Sequence, residues 1–165
     1  MMKIIVMSDS HGDRETVKAV SELPADAYFH CGDSELSKDD TVLKGMHIVK
    51  GNCDVDSAFP DTVVTSVVGK TILMVHGHMH DVKRTLLSLY YAALEHKADI
   101  VLFGHSHLYG AEMKDGILFL NPGSTLLPRG GKQATFAEVE WGDSIRISFK
   151  NMAFEEIDRV EMKKV

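Results

Sequence analysis

"ADIVLFGHSH", residues 98–107, is the stretch on which the fold turns. Its apolar run is short, continuous and rich in β-branched residues, the mark of a strand inside a sheet. The run stops at Gly104, and two imidazoles, His105 and His107, follow at once. In extended backbone, side chains at i and i+2 point the same way, so this pair is expected to aim at one spot. Histidines without apolar partners at a strand end make sense if they converge on a cation.

The same figure recurs along the chain. "MKIIVMS" runs into Asp9 and His11, "ADAYFHCGD" into Asp33, "GMHIVKGNCD" into Asn52, and "TILMVHGH" into His76 and His78. Almost every ligand-type residue outside the charged surface stretches thus sits where a predicted strand ends. Between these strands, "DRETVKAVSEL" has helical spacing, and Asp81 is a suitable N-cap for a helix over "VKRTLLSLYYAALEHK". Hairpins are predicted at Gly69-Lys70, Asp115-Gly116 and Gly142-Asp143, where alternating segments are broken by turn residues. The closing "EEIDRVEMKK" reads as solvated surface. Early βα units followed by antiparallel hairpins indicate an α/β fold with a mixed sheet or two facing sheets, its site at the C-terminal ends of the parallel strands.

Composition bounds the function. A chain of 165 residues, 44% hydrophobic and 25% charged, suits a single domain over residues 1–165. The net charge of -6 argues against an electrostatic grip on nucleic acid. "KIIVM" is too short for a signal-peptide core and no apolar run could span a bilayer, so a soluble, cytoplasmic protein without a membrane partner is expected. Cys31 and Cys53 are then free thiols.

Taken singly, each strand-end motif has an ordinary reading. Asp9 could cap the helix that follows, Gly32-Asp33 and Gly51-Asn52 are turn signals, and "HGHMH" could hold one zinc ion by itself or face solvent. His30, His47 and His96 read as ordinary polar or half-buried residues. As an ordered set, "DSH" (9–11), "GD" (32–33), "GNCD" (51–54), "HGH" (76–78) and "GHSH" (104–107) resemble the five motifs of the calcineurin-like metallophosphoesterase superfamily. The short length, "GNCD" and "NPGS" (121–124) are similar to its small YfcE-type phosphodiesterase branch. The resemblance implies a four-layer αββα sandwich with two mixed sheets and a dinuclear metal centre. It puts Asp9, His11 and His107 on one ion, Asn52, His76 and His105 on the other, and Asp33 between them. It further implies a small phosphoester substrate and a homodimer or homotetramer.

This donor set suits hydrolysis of an anion. Two divalent ions, two aspartates and a bridging hydroxide leave the centre at roughly +1, so a phosphodiester is attracted. Hydroxide held between the ions attacks phosphorus in line, with Asp33 and Asn52 holding the centre. Nitrogen and oxygen donors accommodate manganese, iron, cobalt, nickel or zinc, with manganese the first expectation. The departure from the superfamily is Cys53, which stands where a histidine usually assists the leaving group; a preference for diesters with good leaving groups is expected. His78 is read as a group that reaches the substrate phosphate or one that hydrogen-bonds among the ligands. Asp54 is read as an orienter of a histidine or a cap, and "PRGGK" (128–132) as a basic loop that would hold a second phosphate if it folds toward the centre. Two other readings stand beside the enzyme. One is a catalytically weak scaffold of the same fold, as in the retromer subunit; the other is a mononuclear zinc protein built on "HGHMH".

Overall fold

A computed structural model describes residues 2–163. Eleven strands form two sheets. The first is six-stranded, in the order β11-β10-β9-β1-β2-β3, with β1 Met2–Met7, β2 Ala27–His30, β3 His47–Ile48, β9 Phe136–Trp141, β10 Ser144–Lys150 and β11 Glu156–Lys163. The second is five-stranded, in the order β4-β5-β6-β8-β7, with β4 Thr62–Val67, β5 Lys70–Val75, β6 Ile100–Leu102, β7 Gly110–Lys114 and β8 Ile117–Asn121. Both sheets are mixed: β1, β2 and β3 run parallel, as do β5, β6 and β8, and the remaining pairings are antiparallel.

Alternation along the central strands builds the layers. Ile4 and Val6 of β1, Ile72 and Met74 of β5, Ile100 and Leu102 of β6, and Leu118 and Leu120 of β8 meet between the sheets in one buried cluster. Their neighbours point the other way. Ile5 and Met7 pack beneath Val17 and Val20 of helix α1 (Arg14–Ser21), while Leu73, Val75, Val101 and Phe119 pack beneath Leu89 and Ala93 of helix α2 (Leu87–Glu95). Strands buried on both faces therefore read as continuous apolar runs. The result is the αββα sandwich, with one helix on each outer face.

Three local expectations change. The helix after the histidine loop starts at Leu87, because Asp81 adopts φ 53°, outside the range of an N-cap, and residues 78–84 form turns closed by Arg84 N–H and Thr85 N–H onto the Asp81 carbonyl. Residues 156–163 form an edge strand instead of plain surface: Ile157, Val160 and Met162 pack onto the core, with a shift of register near Ile157, while the charges between them face water. The first hairpin turns at Val68-Gly69, one residue earlier than predicted, with both residues at positive φ as a type I′ turn requires.

Candidate metal centre

The parallel strands of both sheets end at the same side of the molecule, and their loops are stitched together there. Asp9 N–H donates to the Gly32 carbonyl at 3.0 Å, His11 N–H to Asp33 at 2.9 Å, and Gly104 N–H to His76 at 2.9 Å. Two glycines permit this approach. A Cβ on Gly104 would lie 2.1 Å from Ser8 Oγ and 2.6 Å from Asp9 Oδ2, and one on Gly51 would lie 2.0 Å from Asp33 Oδ1. The backbone is strained in the same loops. Asp9, His11, Asp33, His105 and His107 all have φ between 45° and 68°, a region that costs a non-glycine residue on the order of 1–3 kcal/mol.

Asp9, His11, Asp33, His76 and His107 each have an outer atom tied and an inner atom turned to the centre. Asp9 Oδ2 accepts from Ser8 Oγ at 2.6 Å and His105 N–H at 3.0 Å, whereas its buried Oδ1 has no hydrogen-bond partner. Asp33 Oδ1 accepts from Cys53 N–H at 2.8 Å, leaving Oδ2 3.2 Å from His76 Nε2. The Nδ1 atoms of His76 and His107 face the carbonyls of Cys31 (2.8 Å) and Leu127 (2.7 Å), and His11 Nδ1 faces Glu35 Oε1 (2.9 Å). Because a carbonyl or carboxylate oxygen can only accept, the proton of each neutral ring is on Nδ1 and the Nε2 lone pair faces inward. Those lone pairs crowd other acceptors: His107 Nε2 lies 3.2 Å from Asp9 Oδ1 and 3.4 Å from His11 Nε2, and His76 Nε2 lies 3.1 Å from Asn52 Oδ1. Acceptors facing acceptors at such distances need protons or cations between them. Two groups of ligand atoms, from Asp9, His11 and His107 and from Asp9, Asp33 and His76, each lie within 4.8 Å of one another and could hold divalent ions.

The electrostatics agree. Burial resists ionisation of Asp9, but His107, His76 and the Ser8 hydroxyl outweigh it and hold the carboxyl below its usual range. Where no cation is bound a proton on His76 Nε2 takes its place: against burial, Asp33 and Asp9 raise the His76 pKa, and the hydrogen bond and charge of that ring, with Cys53 N–H, bring Asp33 to about 2 in spite of its own burial. Burial, His76 and Lys83 press His105 down to about 4, so its ring is neutral near pH 7.

Other residues fall differently from the sequence reading. His105 and His107 do not share a target, because neither has extended backbone: His107 faces Asp9 and His11, while the His105 ring stands edge-on to His76, centroids 5.1 Å apart. His78 lies 5.4 Å from the His76 ring and 6.2 Å from that of His105, and its buried Nδ1 has no partner. The "HGHMH" histidines diverge, since His76 turns to Asp33 and His80 Nδ1 bonds Ser88 Oγ at 3.1 Å. Asp54 touches no imidazole. Its carboxylate accepts from the backbone N–H groups of Asp33, Gly51 and Glu35 and so laces the second loop to the third. Cys53 is exposed with its thiol beside Asn52 Nδ2, and Cys31 is a buried free thiol. His30 is fully buried, His47 half-buried against Phe29, and His96 exposed. In the basic loop, Arg129 N–H bonds the His107 carbonyl at 3.2 Å, which brings its backbone to the centre, but Lys132 covers the Tyr109 ring. Ser124, from the "NPGS" segment, donates to the Asp9 carbonyl at 2.7 Å, while Ser8 and Glu35 escaped the sequence reading. Apart from adjacency to a motif, nothing linear marks them.

Comparison with known families matches residues 2–144 to the calcineurin-like phosphoesterase superfamily domain. The chain belongs to that superfamily. Within the calcineurin-like phosphoesterases, it is 38% identical to "Probable metallophosphoesterase YsnB" of Bacillus subtilis over 97% of each chain. It is 28% identical to the phosphodiesterase YfcE of Escherichia coli over 85% of this chain and 88% of that one. A Streptococcus pneumoniae protein described as a predicted phosphoesterase has a crystal structure that superposes with a TM-score of 0.95 at 38% identity, covering 99% of this chain and 98% of that one. Membership in this superfamily implies divalent-metal binding and supports hydrolase activity.

Proposed function

We propose that this protein is a phosphodiesterase that hydrolyses a small, nucleotide-like phosphodiester with two divalent ions, manganese foremost. The observation that carries the reading is the buried Asp9 Oδ1, unpartnered and 3.2 Å, 3.6 Å and 3.9 Å from three imidazole nitrogens, those of His107, His76 and His11. An acceptor buried among inward-facing lone pairs is costly unless a cation is shared. Asp9, His11 and His107 would hold one ion and Asn52, His76 and His105 the other, with Asp33 Oδ2 between them. When bound, such a pair supplies hydroxide near neutral pH and neutralises the charge that develops on the phosphoryl oxygens. The chain's own part is to present these donors already oriented, through the outer hydrogen bonds of Ser8, Glu35 and the Cys31 and Leu127 carbonyls. Burial, together with Asp33, Glu35 and Asp54, pushes the Cys53 thiol up, so it stays protonated at neutral pH and can donate to a departing oxygen. His78, held neutral by burial and His76, serves as a hydrogen-bond partner for the substrate and carries no charge. A thiol is a weak donor, so good leaving groups are favoured. The test is hydrolysis of bis(p-nitrophenyl) phosphate and of its monoester by metal-stripped protein before and after Mn(II) is restored. Restored activity with a preference for the diester supports the reading; no restoration by Mn(II) or any other divalent ion refutes it in favour of the scaffold.

A further inference from the structure

His11, Glu35 and Cys53 come from the loops after β1, β2 and β3, and one ligand atom from each lies within 4.8 Å of the other two. Glu35 and Cys53 belong to neither ion of the proposed centre, yet they flank the outward side of His11, whose Nδ1 is 2.9 Å from Glu35 Oε1. We propose that these three residues form an outer site for a thiophilic divalent cation of the zinc class, sharing the His11 imidazole with the catalytic centre. Thiolate, imidazole and carboxylate are the donors zinc favours, and three protein ligands leave a fourth position open. Glu35 and Cys53 are exposed, so their side chains can close on an ion without moving the backbone. A cavity of about 340 Å³, lined by Glu35, Leu36, Ser37, Cys53, Val55 and Asp56, opens both residues to solvent.

Binding replaces two protons. The Cys53 thiol and His11 Nδ1–H release theirs to solvent, bonds form from the ion to Sγ, Nδ1 and the Glu35 carboxylate, and nothing is oxidised or reduced. The His11 ring then bridges inner and outer ions, and the outer one occupies the side of the centre where the Cys53 thiol would meet a leaving group. Excess zinc is thereby an inhibitor of the manganese enzyme. This rests on the dinuclear reading only for the inner role of His11.

The experiment is titration of the manganese-loaded protein with Cd(II), following the thiolate-to-cadmium charge-transfer absorption, with Zn(II) inhibition of diester hydrolysis measured alongside. One cadmium per chain is expected to develop the band, Cys53→Ser to abolish it, and Glu35→Gln to raise the cadmium needed by about tenfold. Zinc inhibition, taken relative to each variant's own activity, should weaken in parallel. Absence of the band overturns the site, as does a band that survives Cys53→Ser. A band unaffected by Glu35→Gln also overturns it, because Cys53 would then serve an inner ion. A protein that shows the band but no manganese-dependent hydrolysis retracts the phosphodiesterase and leaves the outer site standing.

Discussion

Ser8 and His30 are two residues on which the centre rests without being part of it. The Ser8 hydroxyl fixes Asp9 Oδ2 at 2.6 Å and thereby aims Oδ1 inward. Outer contacts of this kind are typically worth about 10–100-fold in metal affinity. Ser8→Ala is therefore expected to weaken manganese binding by that factor while leaving the thermal unfolding of the metal-free protein within a few degrees, as calorimetric titration and a melting curve would show. Unchanged affinity would mean that the Asp9 carboxylate is held by His105 N–H alone. His30 is buried beneath the loops, its Nδ1 accepting from Gly32 N–H at 3.1 Å and its other nitrogen meeting Ser10 Oγ at 2.9 Å. A second proton would set Nδ1–H against Gly32 N–H. Burial accordingly drives its pKa from 6.5 to about 4, against weaker opposition from nearby aspartates. The unfolded chain takes up this proton below pH 6.5 and the folded one does not, so the residue costs stability as pH falls from 6.5 to about 4, amounting to about 3 kcal/mol at the lower end. In metal-free protein, His30→Asn should flatten the decline between pH 7 and 4.5 measured by urea unfolding, even if the variant is less stable at pH 7. An equally steep decline would refute the assignment. The ligand-type residues were legible in the sequence because they gather where predicted strands end; the burial of His30 was not, since it depends on what packs above it.

At the scale of elements, what was readable followed from periodicity and what was missed followed from context. Runs such as "KIIVM" and "DIVLF" announced strands covered on both faces, and Asp115-Gly116 announced its hairpin with φ values of 50° and 78°. The β11 edge strand was hidden by its charges and by a shift of register: only Ile157, Val160 and Met162 touch the core, and an edge leaves the rest to water. The start of α2 was hidden because Asp81 is a good cap by type but lies in a turn, while Leu86, which stands at the N-cap, offers no capping side chain and Thr85 Oγ1, one residue before it, accepts from Leu87 N–H at 3.2 Å. Nor could sequence show that the strand-end pairs leave extended geometry, since the left-handed residues at Asp9, His11, His105 and His107 are enforced by contacts between loops. The turn of the β4–β5 hairpin yields a prediction. Val68 is β-branched, 62% exposed and at φ 50°, a conformation that suits Asn or Gly. Val68→Asn should raise stability by about 1 kcal/mol, seen as a higher urea midpoint with unchanged slope. A lowered midpoint would show that the Val68 methyl groups contribute more by packing than the backbone loses by strain.

For the whole molecule, the arrangement explains why so many short motifs scattered over a hundred residues belong together. Each sheet contributes a block of parallel strands, and the ends of both blocks meet on one side, so residues from Asp9 to His107 reach a common centre without any of them lying in regular structure. The four-layer core holds that junction rigid: the strands below it are buried at the ends that lead into the loops, and the loops above are laced by Asp54, Ser124 and the backbone pairs between them. Strain in the loops is tolerated because the packed sheets over-determine their ends. Among the described residues, no helix is long and apolar enough to cross a membrane. The strand order and the pairing of ends were beyond reach from sequence, because they depend on long-range register; the donor types and their order along the chain were enough to resemble the superfamily. The proposed function depends on two cations being shared among the inward-facing atoms. Anomalous diffraction at the manganese edge from crystals of the manganese-loaded protein tests this most directly. Two peaks about 3.5–4 Å apart are expected, one beside Asp9 Oδ1 and the Nε2 atoms of His11 and His107, the other beside Asp33 Oδ2, Asn52 Oδ1 and His76 Nε2. A single peak, or none at these atoms, would contradict the account.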